Sequence, residues 1–93
     1  SALYAISDIM AIGAQKALAD AGFRIPEDIS LVGFDGVKIG NYMTPSLTTL
    51  KQPAEEMAQE TARLMFDMIA QKVKGQHKIF EGELVLRQST RAL

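Results

Sequence analysis

An almost wholly apolar run, Ser30-Leu31-Val32-Gly33-Phe34, lies between a Pro26-Glu27-Asp28 turn and an abrupt Asp35-Gly36 step. A run this short, rich in β-branched and aromatic residues and bounded by turn signals, is the pattern of a strand buried on both faces. Such strands belong to the centre of parallel sheets, whose two faces are both covered. Parallel sheets bind ligands at the carboxyl ends of their strands, and Asp35 stands at such an end. The pattern predicts an α/β domain with a carboxylate aimed into a ligand site.

The flanking residues extend this to a βαβ unit. Leu3 to Ile6 read as a short apolar strand, and Ser7 and Asp8 both carry side-chain oxygens where a helix must be capped. Asp8 is assigned as the cap and Ser7 as a residue facing a cleft. A helix follows over Ile9 to Ala21 and stops at Gly22, with Ala11, Gly13, Ala14 and Ala17 small enough for close approach to a sheet. Strand, helix and strand at this spacing require a crossover connection.

After Asp35 the chain mixes Gly, Asn and Pro with apolar residues as far as Pro45, a loop with room for one helical turn. Leu47 to Leu50 form a third short strand. Pro53 suits the first position of a helix, and Glu55 and Glu56 complement its dipole. From there Met57, Ala58, Thr61, Ala62, Met65, Met68 and Ile69 recur at helical spacing between polar residues, so an amphipathic helix is predicted over residues 53–74, with Gly75 ending it. Its methionines read as core packing. A last strand is expected at Leu84-Val85-Leu86. Four short strands and two helices are too few to cover both faces of a parallel sheet, so the chain is expected to be a portion of a larger domain with further elements upstream.

Bulk properties narrow the function. With 10 basic and 11 acidic residues among 93, the net charge is -1, which provides no basic footprint for nucleic acid or an anionic membrane surface. Cysteine is absent, removing disulfides, thiolate metal sites and cysteine nucleophiles. No apolar run reaches the length of a membrane span. His77, the only histidine, follows Gly75 in a charged loop and reads as solvated, so no metal site is expected. Ser7 has neither a histidine nearby nor the glycines of a nucleophile elbow, and no Gly-rich phosphate loop is present. Neither an enzyme nor a cofactor is expected. Arg87 and Arg91 read as a solvated chain end.

Several blocks in order, Ser7-Asp8-Ile9-Met10-Ala11-Ile12-Gly13-Ala14, Ile25-Pro26-Glu27-Asp28-Ile29-Ser30, Val32-Gly33-Phe34-Asp35, Thr44-Pro45-Ser46-Leu47-Thr48-Thr49, Gln52-Pro53 and Leu86-Arg87-Gln88-Ser89-Thr90, resemble the C-terminal end of LacI/GalR-type transcriptional regulators. The resemblance implies a flavodoxin-like half of a periplasmic-binding-protein-like type I fold, present here as a partial domain. It implies that residues 1–50 belong mainly to the C-terminal subdomain, 53–74 to a helix of the N-terminal subdomain, and 79–93 to a final strand and tail. It further implies a cytoplasmic homodimeric repressor with a sugar or related polyol as effector. Operator DNA would be read by a helix-turn-helix domain not among these residues.

On the same resemblance, Asp35, Ser7 and Gln52 contact the effector, and Ile12, Gln15 and Tyr42 lie in the dimer interface. Ser7 stands where relatives often carry Asn or Asp, and its single hydroxyl reaches less far. The effector's identity therefore does not transfer. The other reading of the same fold is a periplasmic sugar-binding protein of a transporter.

Overall fold

The computed structural model describes residues 1–92. The chain runs β1 (Ala2–Tyr4), α1 (Asp8–Asp20), β2 (Ser30–Asp35), a single 3-10 turn (Lys38–Tyr42), β3 (Thr48–Lys51), α2 (Ala54–Ile69) and β4 (Glu83–Val85). The strands form one four-stranded sheet in the order β1-β2-β3-β4. β2 pairs in parallel with β1 and β3, in the registers Leu3↔Leu31 and Gly33↔Thr49. β4 joins β3 antiparallel, Leu50 opposite Leu84. The apolar run is therefore the central parallel strand, and Asp35 is its last residue.

The core is small. Leu31 and Leu47 are fully buried with Ala11, Ala5 is nearly so, and Ala14, Ile25 and Met43 pack at their edge. α1 lies on the β2 face that carries Leu31 and Gly33, because its contact residues are alanines and Gly33 has no side chain. The other face of β2, with Val32 and Phe34, is only half-buried. The expectation of a strand buried on both faces thus holds for one face, since this chain supplies one helix to the sheet and not two.

Both helices end on a left-handed residue. At α1, Gly22 has φ +86, its N–H donates to the Ala19 carbonyl at 3.0 Å, and the Phe23 N–H donates to the Leu18 carbonyl at 2.9 Å. This paired closure satisfies carbonyls that the last turn leaves open. α2 closes the same way one residue type less comfortably. Gln71 takes φ +58, the Gln71 N–H donates to Met68 and the Lys72 N–H to Asp67, each at 3.0 Å. The helix therefore stops at Ile69, short of the Gly75 that the sequence pattern suggested. Pro53 is its N-cap and not its first helical residue.

α2 carries no fully buried residue, and Met65, Phe66 and Ile69 are exposed at 52%, 72% and 71%. The methionines read as core are not core within this chain, because α2 runs out from the sheet in a molecule of 57 × 23 × 19 Å. The segment after α2 is tied back by Lys78, which reaches Glu60 at 2.7 Å, beside Arg63. Arg63 first and Lys78 second hold the Glu60 carboxyl down to about 2. That clasp persists at neutral and mildly acid pH and is lost only as pH falls through about 2.

The C-terminal tail is not a solvated end. The Ser89 hydroxyl is buried, accepting from the Thr48 N–H at 2.8 Å and donating to the Leu31 carbonyl at 2.6 Å. Arg87 donates to the Leu47 carbonyl at 3.1 Å, and Arg91 donates to the carbonyls of Pro26 and Glu27 at 3.1 and 2.9 Å. Ser89→Ala leaves a buried N–H and a buried C=O without their partner, so it should cost about 2–3 kcal/mol. Urea unfolding of the intact protein carrying the variant measures that loss.

Candidate functional site

Where β2 ends, the backbone turns sharply. Asp35 has φ +127 and Gly36 φ +80, two successive residues with positive φ. For a residue with a Cβ that conformation is uncommon and costs about 1–3 kcal/mol, so the surrounding structure must hold it. Three contacts do so. The Gln52 N–H donates to the Asp35 carbonyl at 3.2 Å, which carries the β2–β3 ladder one step past Lys51. Gln52 Nε2 donates to Asp35 Oδ1 at 2.6 Å. Below the turn, Asp8 Oδ2 accepts from the backbone N–H groups of Gly36 and Val37 at 2.9 and 2.8 Å.

Asp35 and Gln52 are thereby brought to one cleft of about 470 Å³ at the carboxyl edge of the parallel strands. Gly36 and Val37 line it from the turn, Lys51 from the end of β3 and Met57 from α2. The free oxygen of Asp35 can accept hydrogen bonds from a hydroxylated ligand, and the Gln52 amide is already oriented beside it. Such a set suits recognition of polar, hydroxyl-bearing molecules. Among the described residues no group of three His, Cys, Asp or Glu side chains could hold a metal ion.

Ser7 takes a different place from the one expected. Its hydroxyl accepts from the Met10 N–H at 3.2 Å, with extended backbone at φ -150, which makes Ser7 the N-cap of α1. It does not line the Asp35 cleft. Asp8, expected as the cap, is fully buried and accepts from the Thr49 hydroxyl at 2.7 Å as well as from the two amides. The cap falls to Ser7 because a cap must precede the first helical residue, and the helix begins at Asp8. Ile12 is half-buried on α1, and Tyr42 ends the 3-10 turn 79% exposed. Gln15 links α1 to the loop after the 3-10 turn, its Nε2 donating to the Thr44 carbonyl at 2.6 Å, while its Oε1 is buried with no partner among the described residues.

Lys51 and Met57, which line the cleft, escaped the sequence reading, as did the contact of the buried Asp8 with the turn. The one available signal for Asp8 was Gly33, a glycine inside a strand, which marks a close approach. A Cβ at Gly33 would run into Asp8 Oδ1 and come to 3.0 Å from Leu47 Cδ2.

With the geometry in hand, comparison with known proteins locates the chain. Residues 1–90 match the family model described as a periplasmic binding protein-like domain. The chain is 47% identical over 89 residues to the HTH-type transcriptional regulator MalR of Clostridium butyricum, an alignment covering 96% of this chain and 27% of that protein. Among solved structures, a LacI family transcriptional regulator from Enterococcus faecalis V583 with bound ribose superimposes with a TM-score of 0.91 at 38% identity, over 100% of this chain and 35% of the other. The lac repressor dimer bound to operator and the anti-inducer ONPF gives a TM-score of 0.90 at 30% identity, over 98% and 32%. The chain belongs to the periplasmic binding protein-like family, in the form found in LacI-type regulators, and represents part of that domain. It spans only 27% of the length of the Clostridium regulator. No helix among the described residues is long and apolar enough to cross a membrane.

A Cβ at Gly36 would meet Lys51 Cγ at 2.7 Å and the Lys51 Cα at 2.8 Å, at a positive φ besides. Gly36→Ala should therefore lower stability by about 1–3 kcal/mol. At Gly13, where nothing lies within 4 Å, the same change should be neutral or stabilise by up to about 1 kcal/mol. Denaturant midpoints of the two variants check the contrast.

Proposed function

We propose that this chain is the C-terminal portion of the effector-binding and dimerisation domain of a LacI/GalR-type transcriptional repressor. A small sugar-like ligand binds between two lobes and controls the affinity of a helix-turn-helix domain, outside these residues, for operator DNA. The observation that carries this reading is Asp35, held at a positive φ and braced by Gln52 at 2.6 Å, at the mouth of the cleft on the carboxyl edge of the sheet. The bound ribose of the Enterococcus faecalis neighbour supports the ligand class, and the regulatory relatives support a repressor over a transporter component. The role is binding and not catalysis, and the setting is the cytoplasm.

In this reading residues 1–50 form part of the C-terminal subdomain, α2 packs its apolar face on the N-terminal subdomain, and the tail returns to the first. The exposed Met65, Phe66 and Ile69 support that division, since they need a covering surface. Gln52 then lies at the crossover between lobes. Ser7, spent on its cap, contributes to the effector site by fixing the start of α1. Ligand closure biases the dimer between DNA-competent and DNA-incompetent arrangements only to the extent that the ligand prefers one of them.

The pairing of two copies uses α1 and the loop after β2, through Ile12, Gln15 and Tyr42. The exposed Tyr42 ring supports it. Each residue of a two-fold interface is met twice, so Ile12→Glu in the intact protein should shift the dimer toward monomer. Sedimentation of the folded variant reads the shift, and an unchanged dimer overturns the interface.

Asp35→Ala should weaken ligand affinity about tenfold to a hundredfold by removing charge-assisted hydrogen bonds. Calorimetric titration of the intact protein, with D-ribose as first probe and other pentoses and disaccharides after it, measures the change. Operator binding without ligand should persist. A lowered melting temperature with unchanged affinity would reduce Asp35 to a turn residue.

A further inference from the structure

We propose that Asp8 is the positioning residue of the ligand site, the buried post that sets the backbone of Asp35 before any ligand arrives. The inference rests on the reading of Asp35 as the ligand's anchor and adds to it a residue that touches no ligand.

The two oxygens of Asp8 have separate tasks. Oδ2 accepts from Gly36 and Val37, the two amides that directly follow Asp35, at 2.9 and 2.8 Å. Successive backbone amides turned to one point by a positive-φ residue form a concavity suited to an anion, and here the protein's own carboxylate fills it. Oδ1 accepts from the Thr49 hydroxyl on β3 at 2.7 Å. The group is fully buried, and Thr49 with it, so these bonds do not compete with water. Without the Oδ2 contact the turn loses the donor-acceptor pair that makes two consecutive positive-φ residues the favoured conformation. Gln52 can hold the Asp35 side chain only if that backbone is already in place.

Space has been kept for this carboxylate. Gly33 lies buried beneath it, and any Cβ there would collide with Oδ1. Ser7 relieves Asp8 of the capping task, so Asp8 at the first helical position can turn its side chain toward the sheet.

The division between the two oxygens makes the idea testable in the intact protein. Amide hydrogen exchange should find Gly36 and Val37 protected in the native state despite their place in a loop. Asp8→Ser, too short to reach them, should speed their exchange at least tenfold and weaken D-ribose binding at least fivefold in calorimetry. Asp8→Asn should restore both, because its carbonyl can face the two amides while its NH2 donates to the Thr49 oxygen. Thr49→Val removes only the Oδ1 bond, so it should lower the melting temperature and leave exchange at Gly36 and Val37, and affinity, unchanged.

Exchange at Gly36 and Val37 in the unaltered protein as fast as in an exposed loop overturns the proposal without any variant, and independently of whether ribose is the ligand. So does a result in which Asp8→Ser and Thr49→Val both lower the melting temperature and neither alters exchange or affinity. If Asp35→Ala weakens binding and Asp8→Ser does not, the positioning role alone fails. If Asp35→Ala leaves binding intact, the anchor reading fails beneath it.

Discussion

One buried carboxylate ties together the parts of this molecule that sequence separates. Asp8 opens α1, yet its oxygens accept from the turn after β2 and from the middle of β3. Taking a carboxylate out of water is costly unless donors replace the solvent, and three donors converge on it here. Because those donors come from two other elements, the group can be satisfied only when helix, turn and strand are all in place. The core around it is too small to impose that arrangement by packing alone, with Leu31 and Leu47 its only large, fully buried apolar side chains among the described residues.

The candidate site at the carboxyl edge of the sheet inherits its geometry from that arrangement. Asp35 stands at a positive φ that a free chain would seldom visit, and it is held by backbone contacts on one side and the Gln52 amide on the other. A side chain fixed before ligand arrives loses little entropy on binding, which is how a site with few polar groups can still be selective. At the opposite end of the sheet Ser89 and the arginines after β4 fasten the tail to the starts of β2 and β3. α2 is the contrasting element, a well-formed amphipathic helix that leaves Met65, Phe66 and Ile69 exposed among the described residues.

The place of Asp35 was legible from chain order, because an apolar run stopping at Asp-Gly marks the end of a central strand. Gln52 was expected at the candidate site only from the family resemblance, and the register is what sets it beside Asp35. The roles of Ser7 and Asp8 were not legible. Both residue types cap helices, and local chemistry does not say which oxygen faces the first amides and which faces strands that begin more than twenty residues later. The end of α2 escaped for a similar reason: Gln71 adopts a left-handed conformation that glycine favours, paired with closing hydrogen bonds that the sequence does not announce.

By itself, then, the sequence determined the order of strands and helices, the parallel βαβ core and the position of Asp35 at the carboxyl edge of the sheet. These follow from periodicity, turn residues and small side chains, which act over a few residues along the chain. Only the tertiary structure decided that Asp8 is a buried hub and Ser7 a cap, that Arg87 and Arg91 clasp carbonyls, and that Met65 and Phe66 lie uncovered. The place of Asp8, which leaves the cap to Ser7, depends on donors 28 and 41 positions away, a distance over which local propensity carries no information.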